Sequence, residues 1–500
     1  MLKQKSFLSF LLNIFSSLLG FVSVFFVSRY MGPEAMGAFS SSTAFVALFA
    51  IFGDFGFGIA HYKKVSEGQD LGKCIATFFR IRLVTTLIMG AVTLLVFYGS
   101  YFIGGKYPVE AKYMSLFYIV FISGLIGNLL YVISFTFSAR VEKAKEGASL
   151  ISQKFVNSMS KVLVSVTGMG VIWLAWSNLA GVMMGAVISI FLFRKYPISK
   201  FDKPLFKSYY VYALPSILIG ATETISMNLD KVFISYFSGT TKVGYYTSAQ
   251  SLVAILSYVG IIFVSLLLPT YSSLHAQGKM EEIRKLAFRV ERYISILLMP
   301  LVFFLFFFAD PIRLLILGNK FAASTPIISL LALNAMLVIF NQPYSSQLLG
   351  TNQIKLGMIL GLIMLGINIV CNLILIPAQL FGIHLAGLGP YGASISLLIS
   401  SSIGMLLFRY FAFKTSESKP NYLILIHLAL AVTSFGSTYL LYRQLGISFY
   451  YIPLFFILGL GIFLLLMAMV KQFTRTDVRY YLNMVSPRLM RNYIKGELKD

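Results

Sequence analysis

Apolar residues run in blocks of about twenty along almost the whole chain, separated by short polar stretches. A helix rising about 1.5 Å per residue crosses a roughly 30 Å hydrocarbon layer in some 20 residues. Fourteen such segments can be laid out: 7–28, 38–60, 80–101, 113–136, 155–175, 177–193, 210–234, 246–268, 293–316, 326–349, 355–376, 387–410, 421–441 and 450–470. The fifth and sixth almost touch at Trp176, which predicts a tight turn there. The pattern predicts an all-α polytopic membrane protein with about fourteen transmembrane helices.

Composition fits that class. Hydrophobic residues make up 58% of the 500-residue chain and charged residues 12%, about half the charged share of a soluble domain. No small-residue cleavage site follows the first apolar segment, which therefore reads as a retained helix. The net charge of +23 does not point to nucleic acid, because the basic residues sit in short stretches between apolar segments. Cys74 and Cys371 are far apart, and His61, His275, His384 and His427 form no cluster. Neither a disulfide framework nor a metal site is implied.

The basic residues instead set an orientation. With both termini in the cytoplasm, 32 Lys and Arg residues fall in inner segments and 7 in outer ones, with Lys161 and Lys231 inside helices. Cytoplasmic loops carry such an excess, and the consistent alternation supports an even number of spans. The basic segment 278–292 reads as an amphipathic helix on the inner leaflet.

The chain also matches itself. Tyr30-Met31-Gly32-Pro33-Glu34-Ala35-Met36-Gly37-Ala38-Phe39 aligns with residues 237–246 at an offset of 207, pairing Gly32 with Gly239, Gly37 with Gly244 and Phe39 with Tyr246. Phe79-Arg80-Ile81 aligns with Phe288-Arg289-Val290 at an offset of 209. Six helices separate the copies, so both enter the membrane in the same direction. Two six-helix lobes in parallel repeat are expected, 1–195 and 209–412, around a central cavity. A cytoplasmic linker (196–208), an extra helix pair (421–470) and a basic tail (471–500) complete the layout. Chance recurrence of glycine and aromatic residues at helix ends is the alternative.

Ionisable residues inside spans are costly and mark function. Lys161 is expected about two turns into the fifth helix, facing the cavity. Glu223 and Asp230, two turns apart, share a face of the seventh helix, with Lys231 next to them. They read either as a cation or proton site or as a compensated structural pair. Asp54 is a third candidate for the coupling ion, although pairing with Lys63 or Arg82 also explains it. For an anionic ligand the candidates are Lys161, Lys231, Arg29, Arg80 and Arg289. Arg80 and Arg289 also suit contact with anionic headgroups. The Phe-rich run 303–308 reads as lipid contact and helix packing.

These residues resemble the polysaccharide (O-antigen-type) flippase family of the superfamily that also holds multidrug extruders and murein-precursor flippases. The likeness rests on Arg29-Tyr30-Met31-Gly32-Pro33-Glu34 with Gly37, on Asp54-Phe55-Gly56, on Ala213-Leu214-Pro215 followed by Asp230-Lys231, on Leu268-Pro269 with Gly278 and Glu281-Glu282-Ile283-Arg284-Lys285, and on Gly350-Thr351-Asn352-Gln353 with Asn368 to Pro377. It covers most of the chain through residue 410.

The resemblance implies two lobes working by alternating access on a polyprenyl-diphosphate-linked oligosaccharide, whose diphosphate calls for fixed cations. Membrane lipids and other polysaccharide-assembly proteins are the expected partners, a bacterial plasma membrane the expected location, and a sodium or proton gradient the expected drive, with no other cofactor. A drug or cation extruder would favour acidic lumen residues, against which Lys161 and Lys231 lean. A murein-precursor flippase of the same superfamily is the other transporter alternative. A glycan polymerase or ligase would need a long outer loop with catalytic groups, and every outer loop here is short. The chain therefore reads as a transporter and not an enzyme.

Overall fold

The structure, a computed structural model, describes residues 2–417 and 421–473; within its helices the side chains of 2–11, 214–216, 218–220, 223, 258–259 and 261–266 lie outside the described residues. The described residues are mostly helical, with one two-stranded hairpin among them, β1 (Gln379–Leu380) and β2 (Ile383–His384). The fourteen expected spans lie largely, but not wholly, on helical chain. Among the described residues ten segments are long and apolar enough to cross a membrane. One of these, Leu12–Leu48, is 37 residues long and takes in the first expected span and much of the second. The chain is a multi-pass membrane protein.

Contacts divide it into two units. One comprises residues 5–251 and 365–396, the other 1–4, 252–364 and 397–500. The first holds α1 (Leu2–Phe26), a π-helical turn (Val27–Met31), α2 (Gly32–Leu48), α3 (Ala50–Asp54), α4 (Phe57–Ser66), α5 (Leu71–Gly104), α6 (Met114–Ala139), α7 (Lys143–Val166), α8 (Ile172–Phe193), α9 (Lys203–Ser238) and nearly all of α10 (Thr240–Val253). The second holds α11 (Ser257–Ala276), α12 (Met280–Phe307), α13 (Ala309–Ile316), α14 (Thr325–Gly350), α17 (Leu423–Leu445) and α18 (Ile452–Met469). α15 (Ile354–Leu375) and α16 (Pro390–Ser416) contribute to both.

Local chemistry explains the breaks. Asp70 and Asp202 start α5 and α9 by accepting the Lys73 and Leu205 amides at 2.7 and 2.9 Å, as short acidic side chains do at helix N-termini. The second expected span is interrupted at Phe55 (φ 45°) and Gly56 (φ 74°), two consecutive left-handed residues that no α-helix accommodates.

In the first unit an aromatic core forms around Phe45, Phe97 and Phe117, with Phe97 and Phe117 stacked at 4.1 Å. α7 and α8 are joined by polar side chains and small residues. Ser149 bonds Ser189 at 2.6 Å and the Gly185 carbonyl at 3.1 Å, and Asn157 donates to Asn178 at 3.2 Å. Small residues let helices approach in lipid and polar ones tie them together. In the second unit the Phe-rich run packs inward: Phe304 lies 4.8 Å from Phe456 and 6.0 Å from Phe435, and Phe308 5.3 Å from Tyr439. The last two helices are thus fixed to α12.

Two expectations need correction, and two histidines take structural places. The turn between the fifth and sixth spans lies at residues 167–171, so both tryptophans belong to α8 and Lys161 sits near the C-terminal end of α7, not two turns from its start. Segment 278–292 is no separate surface helix, because α12 runs unbroken from Met280 into the ninth span. His61 and His427 are buried and bonded: His61 lies between Tyr209 and Thr136 at 2.8 and 2.9 Å, and His427 meets Ser295 at 2.6 Å.

The repeat is visible in conformation. Gly32 (φ 83°, ψ −174°) and Gly239 (φ 91°, ψ 162°) share a backbone region open in practice only to glycine. α6 and α14 are both 26 residues long. The turns after them match: Arg140 N–H bonds Thr136 O as Thr351 N–H bonds Gln347 O, Glu142 N–H bonds Phe137 O as Gln353 N–H bonds Leu348 O, and Val141 (φ 58°) and Asn352 (φ 63°) are both left-handed. Two copies of one helical unit give this result, and chance recurrence of glycines does not.

Candidate functional site

The strongest constellation lies inside the first unit, where α9, α10 and α15 meet. Asp230 is 2% exposed. Its Oδ2 accepts the Tyr246 hydroxyl at 2.8 Å and its Oδ1 the Asn372 amide at 2.6 Å. Asn372 also donates to Asn368 Oδ1 at 3.1 Å, one turn earlier on α15. Tyr246, Asn372 and Asn368 are buried as well. Asn372 Oδ1 and Asn368 Nδ2 have no hydrogen-bond partner among the described residues. Burying a carboxylate is expensive without compensation, and here the hydrogen bonds it accepts come from two neutral donors, Tyr246 and Asn372. An acceptor oxygen beside the carboxylate, left unmatched, is a donor set that suits a small cation or a proton. Lys231 follows Asp230 on the helix and is half-buried. The side chain of Glu223 lies outside the described residues.

The other candidates are dispersed. Lys161 places its ammonium over the Phe39 ring, 3.9 Å from the centroid. Arg29 is exposed on the π-helical turn and packs over Phe25 at 5.6 Å; such turns recur at functional sites. Arg80 and Arg289 are both exposed, Arg80 lying over Phe201 at 5.1 Å.

Asp54 is a structural anchor. It pairs with Arg82 at 2.6 Å and accepts the Gly58 amide at 3.0 Å, capping α4 after the left-handed break. Arg82 is fully buried and also donates to the Gly53 carbonyl and to Asn128, both at 2.8 Å. It thereby satisfies a backbone carbonyl freed by the break.

The repeat carries this position over with opposite charge. Two residues beyond the matched arginines, Arg82 corresponds to Glu291, which is also fully buried and is bonded by Arg409 and by Tyr344, the latter at 2.7 Å. Sequence reading counted Arg82 and Arg409 among inner-loop cations and passed over Glu291. The one available signal was the alignment of Arg80 with Arg289, extended by two positions.

The fold is shared with solved membrane proteins. The solved structure of the lipid II flippase MurJ in an inward closed conformation superposes with a TM-score of 0.72, covering 92% of this chain and 98% of that one at 15% identity. An inward-facing MATE family multidrug resistance transporter superposes at 0.57, covering 81% and 96% at 16% identity. Residues 26–326 match the family described as polysaccharide biosynthesis protein, and the chain belongs to that family. The chain is also similar to two curated relatives. The probable low-salt glycan biosynthesis flippase Agl15 of Haloferax volcanii is 24% identical over 82% of this chain and 83% of its own. The succinoglycan biosynthesis transport protein ExoT of Rhizobium meliloti is 24% identical over 63% of this chain and 62% of its own. The protein is a membrane transporter of polysaccharide biosynthesis and not an enzyme.

Proposed function

We propose that the protein flips a polyprenyl-diphosphate-linked oligosaccharide across the plasma membrane by alternating access, with both termini cytoplasmic, and that a cation or proton bound at Asp230 drives the cycle. The observation that carries the coupling is the enclosed Asp230 carboxylate, held by hydrogen bonds from Tyr246 and Asn372 and, among the described residues, in no salt bridge. The naming of one relative as a glycan flippase and of another as a succinoglycan transport protein supports the substrate class. A diphosphate entering an apolar path loses hydration, and fixed cations offset that loss. Lys231, adjacent to the carboxylate, and Arg29, exposed on the π-helical turn, suit that role. Arg80 and Arg289, exposed in the N-terminal half of α5 and of α12, suit anionic headgroups.

The test uses a strain lacking the gene, in which lipid-linked oligosaccharide accumulates on the inner leaflet. The full chain restores surface glycan, and Asp230→Asn does not, at equal protein level. Restored drug resistance without restored glycan would turn the reading to a drug extruder.

A further inference from the structure

The repeat places Lys161 and Asn372 at equivalent positions. The matched turns after α6 and α14 fix an offset of 211, and α7 and α15 begin at Lys143 and Ile354 under that same offset. Counting on along the two helices, Asn157 corresponds to Asn368 and Lys161 to Asn372. In each pair the two side chains lie one turn apart on one face. On the facing helices, α2 and α10, Phe39 corresponds to Tyr246.

The chemistry at the two places has opposite sign. In the second repeat Asn372 and Tyr246 both donate to the Asp230 carboxylate. In the first, the Lys161 ammonium lies over the Phe39 ring, and no carboxylate pairs with it among the described residues. A ring face attracts a cation most strongly where water is excluded. One turn before Lys161, Asn157 Oδ1 is buried without a hydrogen-bond partner among the described residues. The second repeat holds an anion in polar surroundings, and the first holds a cation of the chain itself.

We propose that Lys161 is a tethered cation, filling permanently in the first repeat the position that the coupling cation takes in the second. The proposal rests on the reading of Asp230 given above. An ammonium on four methylenes cannot leave with the transported ion. The first repeat therefore needs no ion, and ion binding is confined to Asp230. Lys161 is a positioning residue of its repeat and not a ligand of the diphosphate.

The full chain carries a built-in reporter, since Trp173 and Trp176, its two tryptophans, lie on α8, the helix bonded to α7. Thermal unfolding followed by their fluorescence, without lipid-linked substrate, tests the proposal in detergent at fixed ionic strength. Lys161→Ala lowers the midpoint and opens room for a butylammonium ion. Added n-butylammonium restores most of the loss saturably, choline and sodium do not, and neither the parent nor Lys161→Arg responds. The response persists in Lys161→Ala/Asp230→Asn and disappears in Lys161→Ala/Phe39→Leu. An unchanged midpoint in Lys161→Ala, or equal restoration by choline, overturns the proposal. So does a butylammonium effect seen only with farnesyl diphosphate present, which would make Lys161 a substrate ligand.

If Lys161→Ala does not fold, Lys161→Met keeps the length without the charge, and parental transport by that variant overturns the proposal equally. Should Asp230→Asn keep its ion dependence, the coupling reading fails whatever Lys161 does; should butylammonium fail, only the tethered cation falls.

Discussion

Gly37 and Gly244 press reciprocally on each other's helix: a Cβ on Gly37 would stand 1.9 Å from the Thr240 carbonyl oxygen, and one on Gly244 1.8 Å from that of Pro33. Pro33 and Thr240 are themselves repeat-equivalent, so the contact is self-complementary in the way a two-fold relation requires. The obstacle on each side is backbone, which cannot give way as a side chain can. Gly37→Ala and Gly244→Ala are each expected to destabilise the contact by about 1–3 kcal/mol and to cut glycan export severely. One separation of α2 from α10 relieves both clashes, so the double variant should be little worse than either single one. Midpoints of purified variants check this, and additive losses would mean two independent contacts.

Arg82 and Asp54 are expected to matter for folding more than for transport. Arg82→Leu removes the counter-charge of Asp54 and the donor to Asn128 Oδ1, while the Gly53 carbonyl keeps Thr85 at 2.7 Å. Breaking a buried pair costs about 3–5 kcal/mol, and the lower end applies because the Asp54 side chain is 34% exposed. The variant should accumulate poorly, and Asp54→Asn/Arg82→Met should lose less than the sum of the singles. Monodispersity in detergent with thermal midpoints decides it.

For the second repeat, Glu223→Gln should lower transport at unchanged protein level, and Asp230→Asn should abolish it. Tyr246→Phe removes one neutral hydrogen bond, worth about 1 kcal/mol, and should move the half-saturating ion concentration by roughly fivefold instead of abolishing the response. Transport measured against sodium at two pH values separates the two ions.

Glu110, in the loop between α5 and α6, accepts the Thr240 amide at 2.9 Å and pairs with Lys112 at 3.4 Å. Partial burial pushes its carboxyl up, and the hydrogen bonds from Thr240 and Lys112 outweigh that and hold it below the ordinary value. A depressed folded value means stability present above the unfolded value, about 4.3, and lost as pH falls through the folded one. Protection of the Thr240 amide from hydrogen exchange should therefore be flat from pH 7 to about 5 and drop below about 4. Glu110→Gln should show reduced protection already at pH 7.

Both termini are expected inside. Reporter fusions at Gly105 and Gly446 should read outside, and fusions at Gly68 and Gly278 inside. A swapped reading at any two of these would break the orientation.

The apolar blocks alone determined that this is a polytopic helical membrane protein, because a span is set by local hydropathy and bilayer thickness. They did not set helix edges: α7 is so rich in Ser, Asn, Gln and Lys that its start and end were misread, and Lys161 was misplaced with them. The repeat was legible from Gly32, Gly37 and Phe39, since glycine-only backbone and close helix contact constrain residue identity directly. Asp230 was legible as a charge in an apolar helix, but its partners were not. Asn372 lies 142 positions along the chain, and an asparagine in an apolar run signals nothing until a carboxylate faces it.

Tertiary structure alone decided which charges are paired. Arg82 and Arg409 looked like loop cations yet are enclosed with Asp54 and Glu291, while Arg80 and Arg289, two residues from the buried positions, stay exposed. Two positions along a helix turn a side chain through about 200°, from one face to nearly the opposite one. Sequence reports that a charge is present, and only packing decides whether water, lipid or a counter-charge answers it.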